Sequence, residues 1–361
     1  MNSRRTSMSG QHLHQSIEEG VLPSPCDVTF TGFSFAGIHP SVLYPTLFSL
    51  SQHAGAPLPA MHSFPGYPLI MHNAMRKEED ANQSDRCVGY TFSRDGVTQK
   101  NIWQLSRCRD TTQVVQTRLR NCTNDQEFNR LAIGLRNHVW EASKDPHANH
   151  VVQVLIEKAG AETEKWIFGE MCDTSKDGGI VKAAKHRYQC RIVQRMLEYF
   201  SLSLVKAIGD YILADLVETR NLCSHMFGNY VMSSLLERGT VEQFRSLMKL
   251  LIACFDQLGK ENHGASVLAC AVRSVADEEH TKALKEALAL AILANESLVL
   301  ESMAFSRFGH LTIKYAIEML LDSHPKQANE CLARLKDAED KLRAGRYGRA
   351  LAAFVDAKRQ D

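Results

Sequence analysis

Three short segments combine side chains that can contact the edges and the faces of nucleic-acid bases. They are Asn149-His150-Val151-Val152-Gln153, Cys190-Arg191-Ile192-Val193-Gln194 and Asn229-Tyr230-Val231-Met232-Ser233. Asn and Gln side chains each offer a donor and an acceptor, which suits a base edge. His, Arg and Tyr side chains are flat groups that stack on bases. Because these kinds of side chain recur at the same three positions, the segments favour base recognition over three unrelated polar helix edges.

Four weaker segments keep the same pattern around an apolar or small pair of residues. They are 112–116, 265–269, 310–314 and 349–353. The fifth positions of all seven segments lie 36 to 45 residues apart, with a mean spacing near 39.5. This spacing is typical of a stacked helical repeat with variable surface loops. We number the segments copies 1 to 7 in chain order and call the first, second and fifth residues of each segment its triplet.

Helices must position these triplets, because the surrounding apolar residues recur at helical spacing. Copy 3 has an apolar stripe of Ile192, Val193, Met196, Leu197 and Phe200, and copy 4 has one of Val231, Met232, Leu235 and Leu236. In copy 2 we expect Asp145 to cap the helix and Pro146 to occupy its first position. Each helix would then pack on its neighbours and present its triplet along one edge.

Proline usage divides the chain into two parts. Eight of the ten prolines lie at or before Pro68, and only Pro146 and Pro325 occur after it. A segment so poor in proline can be almost wholly helical. We therefore predict a mostly disordered arm over residues 1–98, rich in Pro, Gly, Ser and His, followed by a helical repeat domain over residues 99–361. Aromatic residues in the arm could recruit protein co-regulators.

Composition and motifs exclude several functional classes. The net charge is only +1, and residues 101–361 carry 35 basic and 33 acidic side chains, which argues against binding of nucleic acid by bulk charge alone. No apolar run is long enough to cross a membrane. The ten cysteines form no C-x-x-C pair and predict reduced thiols. We find no catalytic motif, so we expect no enzyme activity, no cofactor and no metal site, including at the chance spacing of His147 and His150.

The strong copies resemble the repeats of the Pumilio, or PUF, family of RNA-binding proteins. The resemblance covers residues 100–357 loosely and residues 140–239 strongly. It implies an all-α, right-handed superhelical solenoid, or crescent, of about seven three-helix repeats. In that family each repeat reads one base of single-stranded RNA: two side chains contact the base edge and the one between them stacks.

The resemblance assigns roles to individual triplets. In copy 2, Asn149 and Gln153 would contact a uracil while His150 stacks. In copy 3, Cys190 and Gln194 would select adenine while Arg191 stacks. In copy 4, Asn229 and Tyr230 look like a second uracil reader, with Ser233 where the family has Gln. The family's RNA runs antiparallel to the protein, so the implied core is 5′-U-A-U-3′.

The remaining copies depart further from the family's pattern. Copy 1 resembles a weak adenine reader made of Thr112, Gln113 and Gln116. The family's guanine reader has a Glu where copy 5 has Ala269, so the usual U-G-U-A core is not expected. In copy 6, His310 and Lys314 could touch phosphate. Copy 7, at Arg349, looks like a capping half-repeat.

The leading hypothesis is a monomeric, cytoplasmic protein that binds single-stranded mRNA, in 3′ untranslated regions by resemblance, and regulates mRNA stability or translation. One alternative is a divergent nucleolar or nuclear PUF-like protein that binds structured RNA or DNA without base specificity in ribosome biogenesis. Its weakness is the low net charge, because such binding requires neutralisation of phosphates. The second alternative is a protein-binding scaffold of the armadillo/HEAT class.

Overall fold

The computed structural model describes residues 96–175, 178–274, 278–294 and 298–358. These residues belong to one compact unit, residues 82–361. Within the described ranges all regular structure is helical, as the sequence predicts. None of the described helices is long and apolar enough to span a membrane. The predicted arm, except for its last three residues, lies outside the described residues, so the boundary at residue 98 stays a prediction.

Nineteen α-helices are found in the described ranges, and most copies consist of three of them. They are α1 (Ile102–Arg107), α2 (Arg109–Arg120), α3 (Asp125–Ala132), α4 (Val139–Lys144), α5 (Ala148–Glu157), α6 (Ala161–Cys172), α7 (Gly179–Ala184), α8 (Gln189–Tyr199), α9 (Leu202–Leu213), α10 (Leu216–Ser224), α11 (Gly228–Arg238), α12 (Val241–Gly259), α13 (Asn262–Arg273), α14 (Glu278–Ala294), α15 (Leu298–Phe305), α16 (Gly309–Ser323), α17 (Pro325–Asp337), α18 (Glu339–Ala344) and α19 (Arg346–Lys358). A short 3₁₀ turn, Ile133–Leu135, follows α3. The triplet always lies on the second helix of its copy.

The second helices form a continuous stack from copy 1 to copy 7. Helix α2 packs on α5, α5 on α8, α8 on α11, α11 on α13, α13 on α16 and α16 on α19. The predicted apolar stripes of copies 3 and 4 are buried, and they join one core that runs through the described part of the chain. The described part of the chain is therefore an all-α solenoid whose seven copies keep one register, as the spacing predicts.

Copies 4 and 5 share one continuous helix, which the sequence does not indicate. The third helix of copy 4 and the first helix of copy 5 are one element, α12, which bends at Cys254 (φ −128°, ψ 18°). A capping box between Thr240 and Gln243 starts this helix. The Gln243 amide also donates to the Lys206 carbonyl (2.6 Å) and to Asp210 (2.7 Å) of copy 3. Third helices of successive copies are thus linked by hydrogen bonds as well as by apolar packing.

A glycine at the start of the second helix allows a close approach in copies 4 to 7. These glycines are Gly228, Gly264, Gly309 and Gly348. At each one, a Cβ atom would lie 2.3–2.7 Å from the carbonyl oxygen of the residue six positions earlier, in the first helix of the copy. That distance is shorter than any ordinary contact, so the two helices can meet this closely only without a side chain.

Replacing Gly264 with Ala is therefore expected to destabilise the protein by about 1–3 kcal/mol, the usual cost of overpacking. The new Cβ would lie 2.5 Å from the Leu258 carbonyl oxygen. Gly169 is the matched control, because it is exposed within α6 and a Cβ there meets no atom within 4 Å. Gly169→Ala should stabilise by about 0.5–1 kcal/mol through helix propensity. Urea denaturation measures both, and equal effects of the two substitutions would contradict the close approach.

Candidate nucleic-acid interface

The stack brings the predicted triplets side by side on consecutive second helices. In copies 2, 3 and 4 they occupy the second, third and sixth residues of α5, α8 and α11. Hydrogen bonds between neighbouring copies hold this register. The Thr112 hydroxyl donates to the His147 carbonyl (3.1 Å), and the Thr312 hydroxyl donates to the Ala265 carbonyl (2.9 Å).

The first residue of the triplet is more buried than an edge position on a free helix. Thr112, Asn149, Cys190 and Asn229 are all less than 9 % exposed. The second residue is more accessible in each case: Gln113 and His150 are exposed, and Arg191 and Tyr230 are half-buried. Each of these four triplets thus pairs a buried first residue with a more exposed second residue beside it.

In copy 2 the local fold orients both amides. The Asn149 amide nitrogen donates to the carbonyls of Asp145 (2.8 Å) and Pro146 (2.9 Å), which uses both of its hydrogens. Its oxygen accepts from the Gln153 amide nitrogen (3.1 Å). Asn149 therefore presents an acceptor oxygen, and Gln153 keeps one N–H donor and its own oxygen for a ligand. The Asp145 carboxylate accepts from the His147 and Ala148 amides (both 2.8 Å) and so holds the turn before α5. The N-cap residue of α5 is His147 and the helix starts at Ala148, so Asp145 is not the N-cap and Pro146 does not occupy the first helical position as the sequence predicts.

Copy 3 combines a small neutral group with a fixed amide. Burial raises the pKa of the Cys190 thiol to about 11, so this group is protonated at neutral pH. The Gln194 amide nitrogen donates to the Cys190 carbonyl (3.1 Å), which leaves the Gln194 oxygen and one N–H for a ligand. Arg191 lies between these two residues in sequence and is partly exposed.

Copy 4 keeps the turn geometry of copy 2 but has only one of its two side-chain amides. The Asn229 amide nitrogen donates to the carbonyls of His225 (2.9 Å) and Met226 (3.0 Å), as its counterpart does in copy 2. Ser233 carries a hydroxyl in place of the amide that Gln153 supplies in copy 2. Burial raises the pKa of the Tyr230 phenol, while the charges of Arg307 and Arg191 lower it. The Tyr230 phenol is thus within electrostatic range of Arg191 of copy 3 and of Arg307 of copy 6, a residue that the triplet pattern did not identify.

Copies 1 and 5 have fewer accessible polar side chains in their triplets than copies 2 and 3. In copy 1, Gln116 is buried (8 % exposed), so its amide is less accessible than those of Gln153 and Gln194. In copy 5, the small triplet of Ala265, Ser266 and Ala269 is buried.

Copy 6 has its two predicted groups in intramolecular contacts. The His310 ring lies 2.9 Å from the Ser306 carbonyl oxygen and stacks on Tyr347 with 5.4 Å between ring centroids. Lys314 lies 3.8 Å from Glu318 and over the Phe354 ring. The charge of Lys314 is therefore partly balanced, which weakens the predicted phosphate contact.

Two histidines hold the turns that precede α8 and α11. The unprotonated Nδ1 of His186 accepts from the backbone amides of Tyr188 and Gln189 (3.3 Å each). The Nδ1 of His225 accepts from the amides of Phe227 and Gly228 (3.2 Å each). They take the place that Asp145 has in copy 2, and the triplet pattern contains no signal for them.

Both histidine pKa values are lowered, so the protein should lose stability as the pH falls. Burial is the main cause, followed by nearby cations: Lys144 and Arg187 for His186, and Lys185 for His225. Their neutral form is favoured in the folded state, so this stability is fully present above the unfolded pKa of about 6.5 and is lost as the pH falls through the lower folded values.

We expect the urea midpoint of the wild-type protein to fall between pH 7.5 and pH 5.5 by more than that of a His186→Asp, His225→Asp variant. An Asp can accept the same amide bonds, as Asp145 does, and remains ionised throughout this range. An identical pH dependence in the two proteins would show that these histidines do not cap the turns.

Comparison with known proteins agrees with the repeat register. The model of the Pumilio-family RNA binding repeat matches residues 138–172, 180–213 and 220–252, which are copies 2, 3 and 4. Among curated relatives, Pumilio homology domain family member 4 of Saccharomyces cerevisiae is 25% identical over 226 residues, 61% of this chain and 23% of the relative. Pumilio homolog 11 of Arabidopsis thaliana is 27% identical over 186 residues, 50% of this chain and 30% of the relative. The chain thus spans less than a third of the length of these two relatives.

Solved structures share the fold. PUF-8 in complex with PBE-RNA superposes with a TM-score of 0.59 at 19% identity, covering 73% of each chain. The RNA-binding domain of yeast Puf5p bound to SMX2 RNA superposes with a TM-score of 0.58 at 17% identity, covering 75% of this chain and 81% of that one. The chain therefore carries three consecutive repeats that match the Pumilio-family RNA binding repeat, in copies 2, 3 and 4, and it is similar to Pumilio proteins over half or more of its length.

Proposed function

We propose that the solenoid binds single-stranded RNA and reads its bases with the triplets of copies 2, 3 and 4. The observation that carries this proposal is the same arrangement on three neighbouring helices: a buried polar or small group, with a flat, more exposed side chain beside it. The printed descriptions of the solved neighbours name RNA complexes, which supports the same class of ligand.

The polar edge of copy 2 suits uracil. The N3–H of uracil is a donor flanked by two carbonyl acceptors. Asn149 presents an acceptor oxygen to that N3–H, and the remaining N–H of Gln153 can donate to a neighbouring carbonyl. Cytosine has an acceptor at N3 and would face the Asn149 oxygen acceptor to acceptor. Copy 2 should therefore prefer uracil over cytosine.

The edge of copy 3 suits adenine. Adenine presents a donor amino group beside a ring-nitrogen acceptor, and Gln pairs with this combination through its oxygen and its amide hydrogen. Gln194 has both atoms available, and the protonated Cys190 leaves room without adding a charge. Copy 4 offers only the Asn229 oxygen and the Tyr230 ring, so we expect it to read uracil more weakly.

With antiparallel binding, as the family resemblance implies, the core is 5′-U-A-U-3′. We further propose that the protein acts as a monomer in the cytoplasm on 3′ untranslated regions of mRNA, regulating stability or translation, with co-regulators recruited by residues 1–98. One solved neighbour, Puf4, is described as bound to a 3′ UTR recognition sequence, which supports this class of target.

Selection from a random RNA pool tests the proposal directly. We expect the wild-type protein to enrich U-A-U and a Cys190→Ser, Gln194→Glu variant to enrich U-G-U. A Glu carboxylate accepts hydrogen bonds only, and the guanine edge offers N1–H and an amino group as donors. Enrichment of one motif by both proteins would place copy 3 outside the reading surface, and the absence of any enriched motif would contradict base reading.

A second function is favoured by the C-terminal copies. Copy 5 has a buried small triplet and the polar groups of copy 6 are engaged within the chain, so this half of the stack offers little for base reading. This is the arrangement expected of a nucleolar-type relative that binds RNA or DNA without base specificity. Steep salt dependence together with flat enrichment in the same selection would support it, and binding of protein but not RNA would support a scaffold.

A further inference from the structure

Four arginines lie in one register where the first helix of a copy passes into the second, either in the turn or at the first residue of the second helix. Arg109, Arg187, Arg307 and Arg346 each lie three residues before the first residue of a triplet, in copies 1, 3, 6 and 7. We call these four residues the arginine row. Because the second helices stack in register, the four positions recur along the same edge of the solenoid.

The four guanidinium groups are accessible and are not neutralised by acids. Three of them are exposed and Arg187 is half-buried. Among the described residues none of the four forms an ion pair with a carboxylate, whereas Arg118, Arg195 and Arg343 do. The row therefore has positive charge available for an anion outside the chain.

Aromatic rings hold three of these side chains in place. Arg187 lies over Tyr188 (4.8 Å to the ring centroid), Arg307 over Phe308 (5.1 Å) and Arg346 over Tyr347 (5.7 Å). A cation–π contact restricts the side chain but leaves its N–H donors and net charge available. Less conformational freedom is then lost when an anion binds.

The surrounding segments concentrate positive charge that the whole chain lacks. The seven segments that join the first helix to the second, including the adjoining helix ends, are residues 107–110, 144–147, 185–188, 224–227, 260–263, 305–308 and 344–347. They contain eight Lys and Arg but only three Asp and Glu, while residues 101–361 are nearly balanced. One of those three acids, Asp145, accepts from backbone amides of its turn. The amino ends of the second helices add partial positive charge at the same edge.

We propose that the arginine row binds the phosphates of the single-stranded RNA whose bases occupy the triplets. This inference rests on the proposed function. RNA fits better than an acidic peptide because the row keeps the register of the repeats and lies three residues before the first residue of a triplet in each of these copies. It also accounts for a role of copies 6 and 7, which have arginines of the row but weak triplets: they hold the RNA backbone without reading sequence.

The test compares RNA binding by the wild-type protein, a row variant, a control variant and a partial row variant as the salt concentration changes. The row variant is Arg109→Gln, Arg187→Gln, Arg307→Gln and Arg346→Gln. The control variant removes four exposed cations of the third helices: Arg130→Gln, Lys249→Gln, Lys282→Gln and Lys326→Gln. Each is titrated with a U-A-U RNA and with a scrambled RNA of the same length, from about 50 mM to about 200 mM KCl.

We expect the slope of log affinity against log salt to become shallower by about 3 in the row variant, since each lost phosphate contact on a single strand contributes about 0.7. Both RNAs should be weakened by the same factor, so the preference for U-A-U is kept. The control variant should retain the wild-type slope. A partial variant, Arg109→Gln with Arg346→Gln, should lose about half as much slope. It keeps the test valid if the fourfold variant does not fold.

Three outcomes would overturn the inference. An unchanged slope in the row variant would show that the arginines do not contact phosphate, although base reading would stand. An equal loss of slope in the control variant would show a general charge effect. Failure of the wild-type protein to bind either RNA would contradict the proposed function itself.

Discussion

Replacing His150, Arg191 and Tyr230 together by alanine is expected to weaken binding of a U-A-U RNA at least about a hundredfold. Each side chain is the flat group of its triplet, and stacking on one base contributes about 1–3 kcal/mol by alanine substitution. Even the lower value at three bases gives about 3 kcal/mol, and 1.4 kcal/mol is a factor of ten in affinity. Fluorescence anisotropy with a labelled RNA measures the change.

The appropriate control is a triple truncation away from the triplets. Tyr211→Ala, Val217→Ala and Lys249→Ala remove three exposed side chains on or next to the third helices. We expect RNA affinity within about twofold of wild type, because surface substitutions away from a site are usually within ±0.5 kcal/mol. Tyr230 is half-buried, so the urea midpoint of the first variant must show that it is folded in the assay. A folded variant with wild-type affinity would show that His150, Arg191 and Tyr230 do not stack on RNA bases.

Replacing Phe244 by alanine should have the largest effect on stability, a loss of about 3–5 kcal/mol. Phe244 is the largest of the fully buried side chains in the described part of the chain. It lies on α12, which packs on α9, α13 and α14. Loss of the ring would leave a cavity at the junction of copies 3, 4 and 5. In a repeat protein each copy contacts only its neighbours, so the defect should weaken coupling between the two halves of the stack.

Chemical denaturation followed by circular dichroism checks this expectation. We expect a lower midpoint and a broader or two-step transition, since cooperativity would be interrupted at α12. Leu202→Ala is the control, because Leu202 is 78% exposed and its truncation should change stability by less than about 0.5 kcal/mol. A Phe244→Ala protein as stable as the control would contradict the central position of this side chain in the core.

The repeat register could be predicted from the sequence because it depends on local periodicity. Apolar pairs such as Ile192 and Val193 recur at helical spacing within each copy, and the copies recur at a nearly constant distance. Both regularities follow from the need of each helix to bury one face against the next. The junction at α12 was not predictable in this way, since no Gly or Pro marks the bend at Cys254. The position of Pro146, two residues before its helix, depends likewise on how Asp145 holds the turn.

The sequence by itself determined which side chains occupy the triplets and how many copies carry a triplet. Only the tertiary structure decided which atoms of those side chains a ligand can use. The Asn149 and Asn229 amide hydrogens are bound by turn carbonyls, and the Gln116 amide is buried against its neighbours. The arginine row also became visible only when positions about 40 residues apart were stacked in register. The physical reason is that side-chain type is a local property, whereas hydrogen-bond satisfaction, burial and the summed charge of an edge depend on contacts between copies.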